Sequence, residues 1–403
     1  MRSNQARASL GTIVTFFALS TNATLQLVPA EPRSDDGYRS VVLLHDWLTG
    51  LRGGERVLEA FCELFPSAPI YTLLHVKGST SATLEQRAIR TSLLDVLPRI
   101  GTYYRRLLPI MPAAAEHMKI SEAADLVLSS HHCTIKGVPK PKGSVHVSYI
   151  HSPMRYMYDQ YDNYFGPQSS LSSRIGGRVF RKYLVDWDLR TNSNVDLFVA
   201  NSQFVRQRVQ KYYRRDAEVV HPFVELDDFA AIRAQPPEKA DYYVMVTAFA
   251  PNKRVDMAIE AVNRLKLPLV IVGGGQLDQQ LRAMAGPTVR FLGNVSRREV
   301  VDVLARGRAL IFPGVEDFGI TPLEALAAGT PVIAFRAGGV LETLTEDDAV
   351  FFDEATPESL VMAIRRFERA PPRPDYSRLE RFSRPRFLRE MRALLASARE
   401  LAR

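Results

Sequence analysis

Two glutamates, Glu316 and Glu324, are separated by seven residues and follow an apolar run, Ala309–Phe312. The run predicts a buried parallel strand, and the sequence beyond the next polar loop predicts a short helix beginning at Thr321. A carboxylate accepts hydrogen bonds from two hydroxyl donors at once, and a helix N-terminus attracts negative charge. This stretch therefore predicts a site for a ligand that carries hydroxyls and an anionic group.

The two glutamates differ in how well a structural role explains them. Thr321 suits the N-cap, Pro322 the first helical position and Glu324 the third, from which its carboxylate can reach back to the cap amide. Spacing supports this capping role for Glu324 as well as it supports a ligand contact. Glu316 lies in the loop at the carboxyl end of the strand, where open α/β sheets bind their ligands, so a functional role is favoured.

A second cluster of chemistry-bearing residues is the basic pair Lys253–Arg254, which follows the apolar run Tyr243–Val246 and precedes a helical pattern. Cations at the mouth of such a helix can neutralise a diphosphate. The alternative is a solvated basic pair. The sequence favours the ligand contact for Lys253 and Arg254 because both follow the end of a predicted strand.

Glycines and a histidine follow two predicted strands in the first half of the chain. Gly53 and Gly54 come after the strand Val41–Leu44, where they would allow close backbone approach to a ligand or form a tight turn before a helix. His151 directly follows the strand His146–Ile150, at the sheet edge where ligands bind, and this position favours an active-site role over a structural one.

Composition restricts the class of protein. The chain has 403 residues, enough for two ordinary domains, and its 46% hydrophobic and 24% charged residues are typical of globular proteins. Its two cysteines form no disulfide framework. The formal charge of +8 suits an anionic partner, but no nucleic-acid recognition motif is present, and we expect no nucleic acid. Neither glycine loop has the GxGxxG spacing, which disfavours a dinucleotide-dependent dehydrogenase.

Alternating strand and helix patterns predict an α/β fold with two Rossmann-like, doubly wound domains. The predicted divisions are an N-terminal extension, a first domain, a second domain and a C-terminal helix, at residues 1–37, 38–225, 226–385 and 386–403. The extension is expected to be disordered or to precede the true start of the protein, because its apolar run makes a poor signal peptide.

The segment Pro98–Met111 interleaves arginines with aromatic and aliphatic residues. This composition is typical of a surface that lies against anionic lipid, and the alternative is an ordinary helix packed on the sheet with its arginines in water. We therefore treat peripheral binding to an anionic membrane surface as an expectation for this domain.

Three pieces of the sequence resemble glycosyltransferase family 4, whose members are retaining enzymes with the glycosyltransferase-B fold. They are EDFGITPLEALAAGTPV at 316–332, HSPMRY at 151–156 and HDWLTGLRGGE at 45–55. The first resembles the family signature, and the other two are similar to a mannosyltransferase-like branch. The sequence Gly338–Glu342 also resembles the family's GG-x-x-E loop beneath the donor. The loop after the strand Tyr243–Val246 departs from the family, because Ala248 stands nearest the place where an arginine is common.

The resemblance implies that the two domains face each other across a cleft, with the first domain on the acceptor side and the second on the donor side, and that the C-terminal helix returns to the first domain. It also implies roles for the candidate residues. Glu316 and the amides around Gly319, Ile320 and Thr321 would hold the sugar of a nucleotide-sugar donor, and Glu324 would hold the ribose. With Lys253 on the diphosphate, the catalytic set would be Glu316, His151 and Lys253. No cofactor or divalent metal is implied, and the sequence has no DxD pair placed to bind a metal.

The resemblance also implies a biological setting. The favoured donor is GDP-mannose, with a UDP-linked or another GDP-linked hexose as the enzymatic alternative and a non-catalytic glycosyltransferase-like scaffold subunit as the alternative of another class. The implied acceptor is a lipid-linked saccharide or polysaccharide, used in the cytoplasm at the inner face of the plasma membrane.

Overall fold

The computed structural model describes residues 37–120, 123–166 and 169–402. The prediction for the N-terminal extension therefore falls on residues that, apart from Gly37, lie outside the described ranges. Two parallel sheets organise the described residues, and each sheet is the centre of one domain.

The first sheet consists of strands β1 (Val41–His45), β2 (Ile70–Thr72), β3 (Ile89–Thr91), β4 (Leu126–His131), β5 (Val145–Ile150), β6 (Leu197–Ala200) and β7 (Glu218–Val219). Their order in the sheet is β3-β2-β1-β4-β5-β6-β7, and all neighbours pair in parallel. The helices of this part of the chain are α1 (Gly53–Leu64), α2 (Ala82–Glu85), α3 (Ile100–Tyr103), α4 (Met111–Glu116), α5 (Tyr161–Phe165), α6 (Leu171–Arg190) and α7 (Gln203–Arg208).

Both faces of the first sheet are covered, as a parallel sheet requires. In β1, Leu43 faces a core that includes residues of α1, whereas Val42 and Leu44 face a second core that includes residues of α4 and α6. Side chains alternate between the two faces of a strand, so one apolar run supplies both cores. The run therefore reads as continuously hydrophobic in the sequence.

The second sheet consists of β8 (Tyr243–Val246), β9 (Leu269–Val272), β10 (Val289–Gly293), β11 (Leu310–Phe312), β12 (Val332–Phe335) and β13 (Ala349–Phe352). Their order is β10-β9-β8-β11-β12-β13, again parallel throughout. The remaining helices are α8 (Ala230–Ala234), α9 (Val255–Leu265), α10 (Asp278–Met284), α11 (Arg297–Arg306), α12 (Ile320–Ala327), α13 (Val340–Thr343), α14 (Pro357–Arg369) and α15 (Arg384–Ala398).

The chain crosses between the domains twice, at adjacent places. Phe223 packs in the first domain's core and Val224 in the second domain's core. The backbone N–H of Val224 donates a hydrogen bond of 3.0 Å to the carbonyl oxygen of Phe382, which lies in the returning segment. Helix α15 then begins at Arg384 and packs Phe387 into the first core. The structure therefore places the two crossings about two residues before the boundaries predicted from the sequence.

The predicted α/β class with two doubly wound domains is confirmed. Strands β2, β3, β7 and β13 have two to four residues each and lie at or next to sheet edges. Such short runs carry little periodicity, so the pattern that marks the central strands is missing from them.

Candidate functional site

Glu316 and Lys253 meet at the carboxyl ends of β11 and β8. Glu316 Oε1 lies 2.5 Å from Lys253 Nζ, and about one-fifth of each side chain is exposed. Gly314 makes the meeting possible, because a Cβ at this residue would lie 2.4 Å from the carbonyl oxygen of Asn252. Two residues that the sequence placed in separate motifs therefore form one carboxylate–ammonium pair at a sheet edge where ligands bind.

Helix α12 follows this pair and begins two residues earlier than predicted. Its N-cap is Gly319, with φ of +91°, and Ile320 is its first residue. Thr321 is consequently not the N-cap, and Glu324 lies too far along the helix to complete a capping box. No side chain caps the helix, so the amides of its first turn are available to an anion. Glycine fits this N-cap because it adopts positive φ without strain.

Glu324 hydrogen-bonds to an arginine side chain, whereas the capping prediction paired it with the backbone amide of the N-cap. Its Oε1 accepts a hydrogen bond of 2.5 Å from Nη1 of Arg297, whose Nε donates to Asp228 at 2.7 Å. Burial raises the pKa of Glu324, and the nearby Arg297 opposes that rise. The capping role is wrong for Glu324, and an arginine-held carboxylate near the start of α12 takes its place.

The N-terminus of α1 lies opposite the N-terminus of α12. Gly53 and Gly54 are the first two residues of α1 and, unlike Gly319, have no positive φ. What matters at both positions is the absence of a side chain, which leaves room for neighbouring groups. A Cβ on Gly53 would lie 3.0 Å from Cδ1 of Ile320, and a Cβ on Gly54 would lie 3.5 Å from Nε2 of His151. Gly53 therefore lets the two domains approach closely, and Gly54 leaves room beside His151 within the first domain.

His151 is held by a serine rather than by an acid. Its Nε2 lies 2.8 Å from Oγ of Ser130, which also lies 3.3 Å from Nδ1 of His45. Burial lowers the pKa of each of these two histidines to about 3. A neutral His151 can hydrogen-bond a hydroxyl group of a ligand, but it is a weak base for removing a proton.

Arg254 separates from Lys253 in the structure. Arg254 adopts a left-handed conformation with φ of +50°, and its Nε lies 3.2 Å from Oδ1 of Asp256 in the first turn of α9. Lys253 instead faces Glu316. The sequence prediction that both cations serve one ligand therefore has direct geometric support for Lys253 alone.

Asp317 is the most important site residue that sequence reasoning missed. Its carboxylate accepts hydrogen bonds from Arg155, four residues after His151, and from Arg208 at the end of α7. Its carbonyl oxygen accepts a further bond of 2.5 Å from Oγ of Ser202. All three donors belong to the first domain. The residue next to Glu316 therefore ties the loop of the second domain to the opposite wall of the cleft.

Glu342, from the GG-x-x-E resemblance, also contacts the first domain. It accepts hydrogen bonds from the backbone N–H groups of Gln203 and Phe204 at 2.7 and 2.9 Å, and its Oε2 lies 3.0 Å from Nε2 of His221. Burial acts to raise the pKa of Glu342, but these hydrogen bonds outweigh burial, and the pKa is lowered. Glu342 thus accepts hydrogen bonds from free backbone N–H groups at the N-terminus of α7, and its carboxylate joins the two domains.

Across the described ranges, no three His, Cys, Asp or Glu side chains are grouped so that they could hold a metal ion. Within the same residues, no helix is both long enough and apolar enough to cross a bilayer.

One part of the chain matches the model of a known protein family. Residues 228–384 match the family model described as glycosyl transferases group 1. The match takes in almost all of the second domain, including Lys253, Glu316 and Glu324. The second domain is thus similar to the glycosyl transferases group 1.

Curated relatives resemble part of the chain. The α-1,3/1,6-mannosyltransferase ALG2 of Homo sapiens is 27% identical over 46% of this chain and 53% of its own length. A GDP-mannose-dependent α-(1-6)-phosphatidylinositol dimannoside mannosyltransferase of Mycobacterium tuberculosis is 30% identical over 49% of this chain and 55% of its own length. The chain spans about half the length of the curated relatives it matches.

Solved structures resemble most of the chain. The sucrose-phosphate synthase of Thermosynechococcus elongatus has a TM-score of 0.66 at 17% identity, covering 88% of this chain and 98% of that one. The HepE protein of Anabaena, in complex with UDP-glucose, has a TM-score of 0.62 at 16% identity, covering 89% and 99%. These likenesses confirm the glycosyltransferase-B fold for this chain.

Proposed function

We propose that this protein is a retaining glycosyltransferase that moves a hexose, with mannose from GDP-mannose favoured, onto a lipid-linked or polysaccharide acceptor. The observation that carries the proposal is the pairing of Lys253 with Glu316 between the carboxyl ends of β8 and β11. In a donor complex, a sugar diphosphate offers both groups new partners, since its phosphates attract the ammonium and its hydroxyls donate to the carboxylate.

Transfer breaks the bond between the sugar's anomeric carbon and the phosphate oxygen, and the electron pair leaves with the diphosphate. A hydroxyl oxygen of the acceptor forms the new bond to the anomeric carbon, and its proton passes to the departing diphosphate. The added negative charge would be stabilised by Lys253 and by the uncapped N-terminus of α12 at Gly319, Ile320 and Thr321. Because these groups are fixed by the fold before the reaction, little reorganisation is needed as charge develops.

The rest of the site would orient the donor. Glu316 would hold hydroxyls of the sugar, and Glu324, itself held by Arg297, would accept hydrogen bonds from the ribose. Neutral His151 would hydrogen-bond the sugar from the first domain. Ala248 offers no charge where the family commonly has an arginine. Arg155 would add a cation from the first domain, where it donates a hydrogen bond to Asp317 in the loop that carries Glu316.

The choice of mannose is supported by relatives that are mannosyltransferases and, in one case, dependent on GDP-mannose. The test is thermal stabilisation by a panel of nucleotide sugars, followed by donor hydrolysis assays with those that bind. A ligand present at 100 times its dissociation constant stabilises the folded state by ~2.7 kcal/mol. We expect GDP-mannose to stabilise the protein most strongly and to be hydrolysed slowly without acceptor.

Other outcomes would redirect the proposal. Preference for a UDP-linked sugar would replace the donor while keeping the enzyme class. Binding of a nucleotide sugar without hydrolysis, and without transfer to any extracted saccharide, would favour the non-catalytic scaffold subunit.

The acceptor belongs to the same proposal. We expect label from GDP-[¹⁴C]mannose to enter the organic phase when the protein is incubated with a membrane lipid extract. A labelled saccharide product confined to the aqueous phase would overturn a lipid-linked acceptor. Absence of any labelled saccharide product from both phases would overturn transfer of mannose from GDP-mannose. The proposed location is the cytoplasmic face of the membrane, where nucleotide sugars are available.

A further inference from the structure

Helix α6 exposes a row of large hydrophobic side chains to solvent. Leu171, Ile175, Val179 and Tyr183 recur every four residues and are 68%, 56%, 63% and 44% exposed. Within the described ranges, six of the thirteen exposed large hydrophobic residues lie in this one helix. Residues four apart share one side of a helix, so the row is a continuous apolar strip.

A row of basic side chains runs directly beside this strip. Arg174, Arg178 and Lys182 are exposed and also recur every four residues, each three positions after an apolar member. Lys182 pairs with Asp186 at 2.5 Å. Across the described ranges, no carboxylate forms an ion pair with Arg174 or Arg178, and their charges are therefore available to an external anion.

The opposite side of α6 is fixed to the first domain. Leu184 and Trp187 are buried, and the indole Nε1 of Trp187 donates a hydrogen bond of 2.9 Å to Glu116 of α4. Gly177 packs so closely on Phe165 that a Cβ would lie 2.6 Å from the ring. The exposed rows are therefore presented by an anchored helix, about 30 Å long at 1.5 Å per residue.

The segment Pro98–Met111, where the sequence predicted lipid contact, is built differently. Tyr104 is buried, and Leu107 and Leu108 are partly buried against the first domain's core, while Arg105 and Arg106 are exposed. Apart from Ile110, which is 48% exposed, its large apolar residues thus serve the core, as in the packed-helix alternative. Insertion into a lipid interface needs apolar side chains that are exposed on the protein surface, and α6 has a row of them.

We propose that the outer face of α6, defined by Leu171, Arg174, Ile175, Arg178, Val179 and Lys182, docks on an anionic phospholipid bilayer. Adjacent apolar and cationic rows match the acyl boundary and the phosphate headgroups of such a surface. Charge complementarity selects this occupant, since the row carries three cations on a chain of net charge +8.

The position of α6 relates this docking to the cleft. Helix α6 packs through Gly177 on Phe165 of α5, and Tyr164 of α5 donates a hydrogen bond of 3.4 Å to Asn252, the neighbour of Lys253. A bilayer against α6 would therefore lie near the cleft. This step rests on the proposed function, because it explains how a lipid-linked acceptor reaches the site.

The test compares two double variants of the full-length protein, I175E/R178E and M362E/R365E. Met362 and Arg365 have the same spacing, lie exposed on α14 of the second domain, and undergo the same change of charge. Both proteins are co-sedimented with vesicles of phosphatidylcholine containing increasing phosphatidylglycerol, at low and high salt. We expect I175E/R178E to lose at least about 10-fold in vesicle affinity and M362E/R365E to match the wild type.

The binding assay contains neither donor nor acceptor, so its result is independent of the proposed transferase activity. Equal binding by all three proteins, or binding that ignores lipid charge and salt, would overturn the α6 proposal. Absence of lipid binding together with a dimer that I175E/R178E dissociates would also overturn it, and would assign the face to a second copy. Hydrolysis of the nucleotide sugar in solution should be the same for the wild type and both variants.

Discussion

Arg208 and Asp317 form a buried ion pair that joins the two domains, with 2.6 Å between Nη1 and Oδ1. Their side chains are 5% and 9% exposed. Arg208 also donates to Ser152 and Asp159, so its guanidinium is held from the first domain while Asp317 holds it from the second. Because Asp317 directly follows Glu316, this pair fixes the loop that carries the proposed sugar contact.

Asp317→Ala should destabilise the protein by up to about 3–5 kcal/mol, because it removes one carboxylate partner from the buried guanidinium of Arg208 and the carboxylate partner of the partly buried Arg155. The control is Asp353→Ala, which removes an exposed partner of Arg336 and should change stability little. Urea unfolding measures both. The double variant D317A/R208A should lose less than the sum of its single changes, and strict additivity would argue against coupling.

Glu316→Ala should lower turnover by ~100-fold or more, because the carboxylate is expected to bind the sugar more tightly in the transition state than in the ground state. Nucleotide affinity should change little or improve, since the change frees Lys253 for phosphate. Glu346→Ala, an exposed acid of the second domain, serves as the control. Steady-state kinetics and calorimetry with GDP separate the two effects, and full turnover in Glu316→Ala would remove its catalytic role.

Lys253→Ala should weaken the nucleoside diphosphate more than the nucleoside, because the ammonium acts on phosphate. Charge-assisted hydrogen bonds of this kind contribute ~1.5–3 kcal/mol, or roughly 10- to 150-fold in affinity. Arg254→Ala is the matched control, since the neighbouring cation pairs with Asp256. We expect calorimetry to show a clear loss of GDP affinity only for Lys253→Ala. Equal losses for GDP and guanosine would make Lys253 a structural residue.

The sequence predicted the parts of the site that depend on local pattern. Apolar runs marked the central strands, and the residues just beyond them, such as Glu316, Lys253 and His151, had to lie at one sheet edge. This placement put Lys253 and Glu316 at the same sheet edge, but it did not predict that the two side chains would form an ion pair. Gly314 carried a weak signal, since a glycine after a strand often permits close backbone approach.

The interdomain contacts could not be predicted from the same patterns. Arg208 lies in an ordinary basic helix, and nothing near it in the sequence indicates a partner more than one hundred residues away. The start of α12 was misassigned because Thr321 is a good N-cap by composition, whereas Gly319 takes that position by adopting positive φ. Tertiary geometry decided both cases.

Five histidines, of which His45, His131 and His146 are buried and His132 and His151 partly buried, predict how stability depends on pH. Burial lowers the pKa of His45, His132 and His151 to about 3, that of His146 to about 4, and that of His131 well below its ordinary value. Below about pH 6.5 the unfolded chain binds protons at these residues while the folded chain does not. Stability should therefore be fully present above pH 6.5 and fall as the pH is lowered toward 3.

The measurement is the free energy of urea unfolding between pH 7.5 and 5.5, above the range in which carboxyl groups normally titrate. Each histidine that stays neutral in the fold contributes up to about 1.4 kcal/mol per pH unit to the slope. His146→Gln should make the slope shallower even where it lowers stability overall. A wild-type stability that is flat across this range would show that the histidines are protonated in the folded protein, and their proposed neutral role beside the cleft would fail with it.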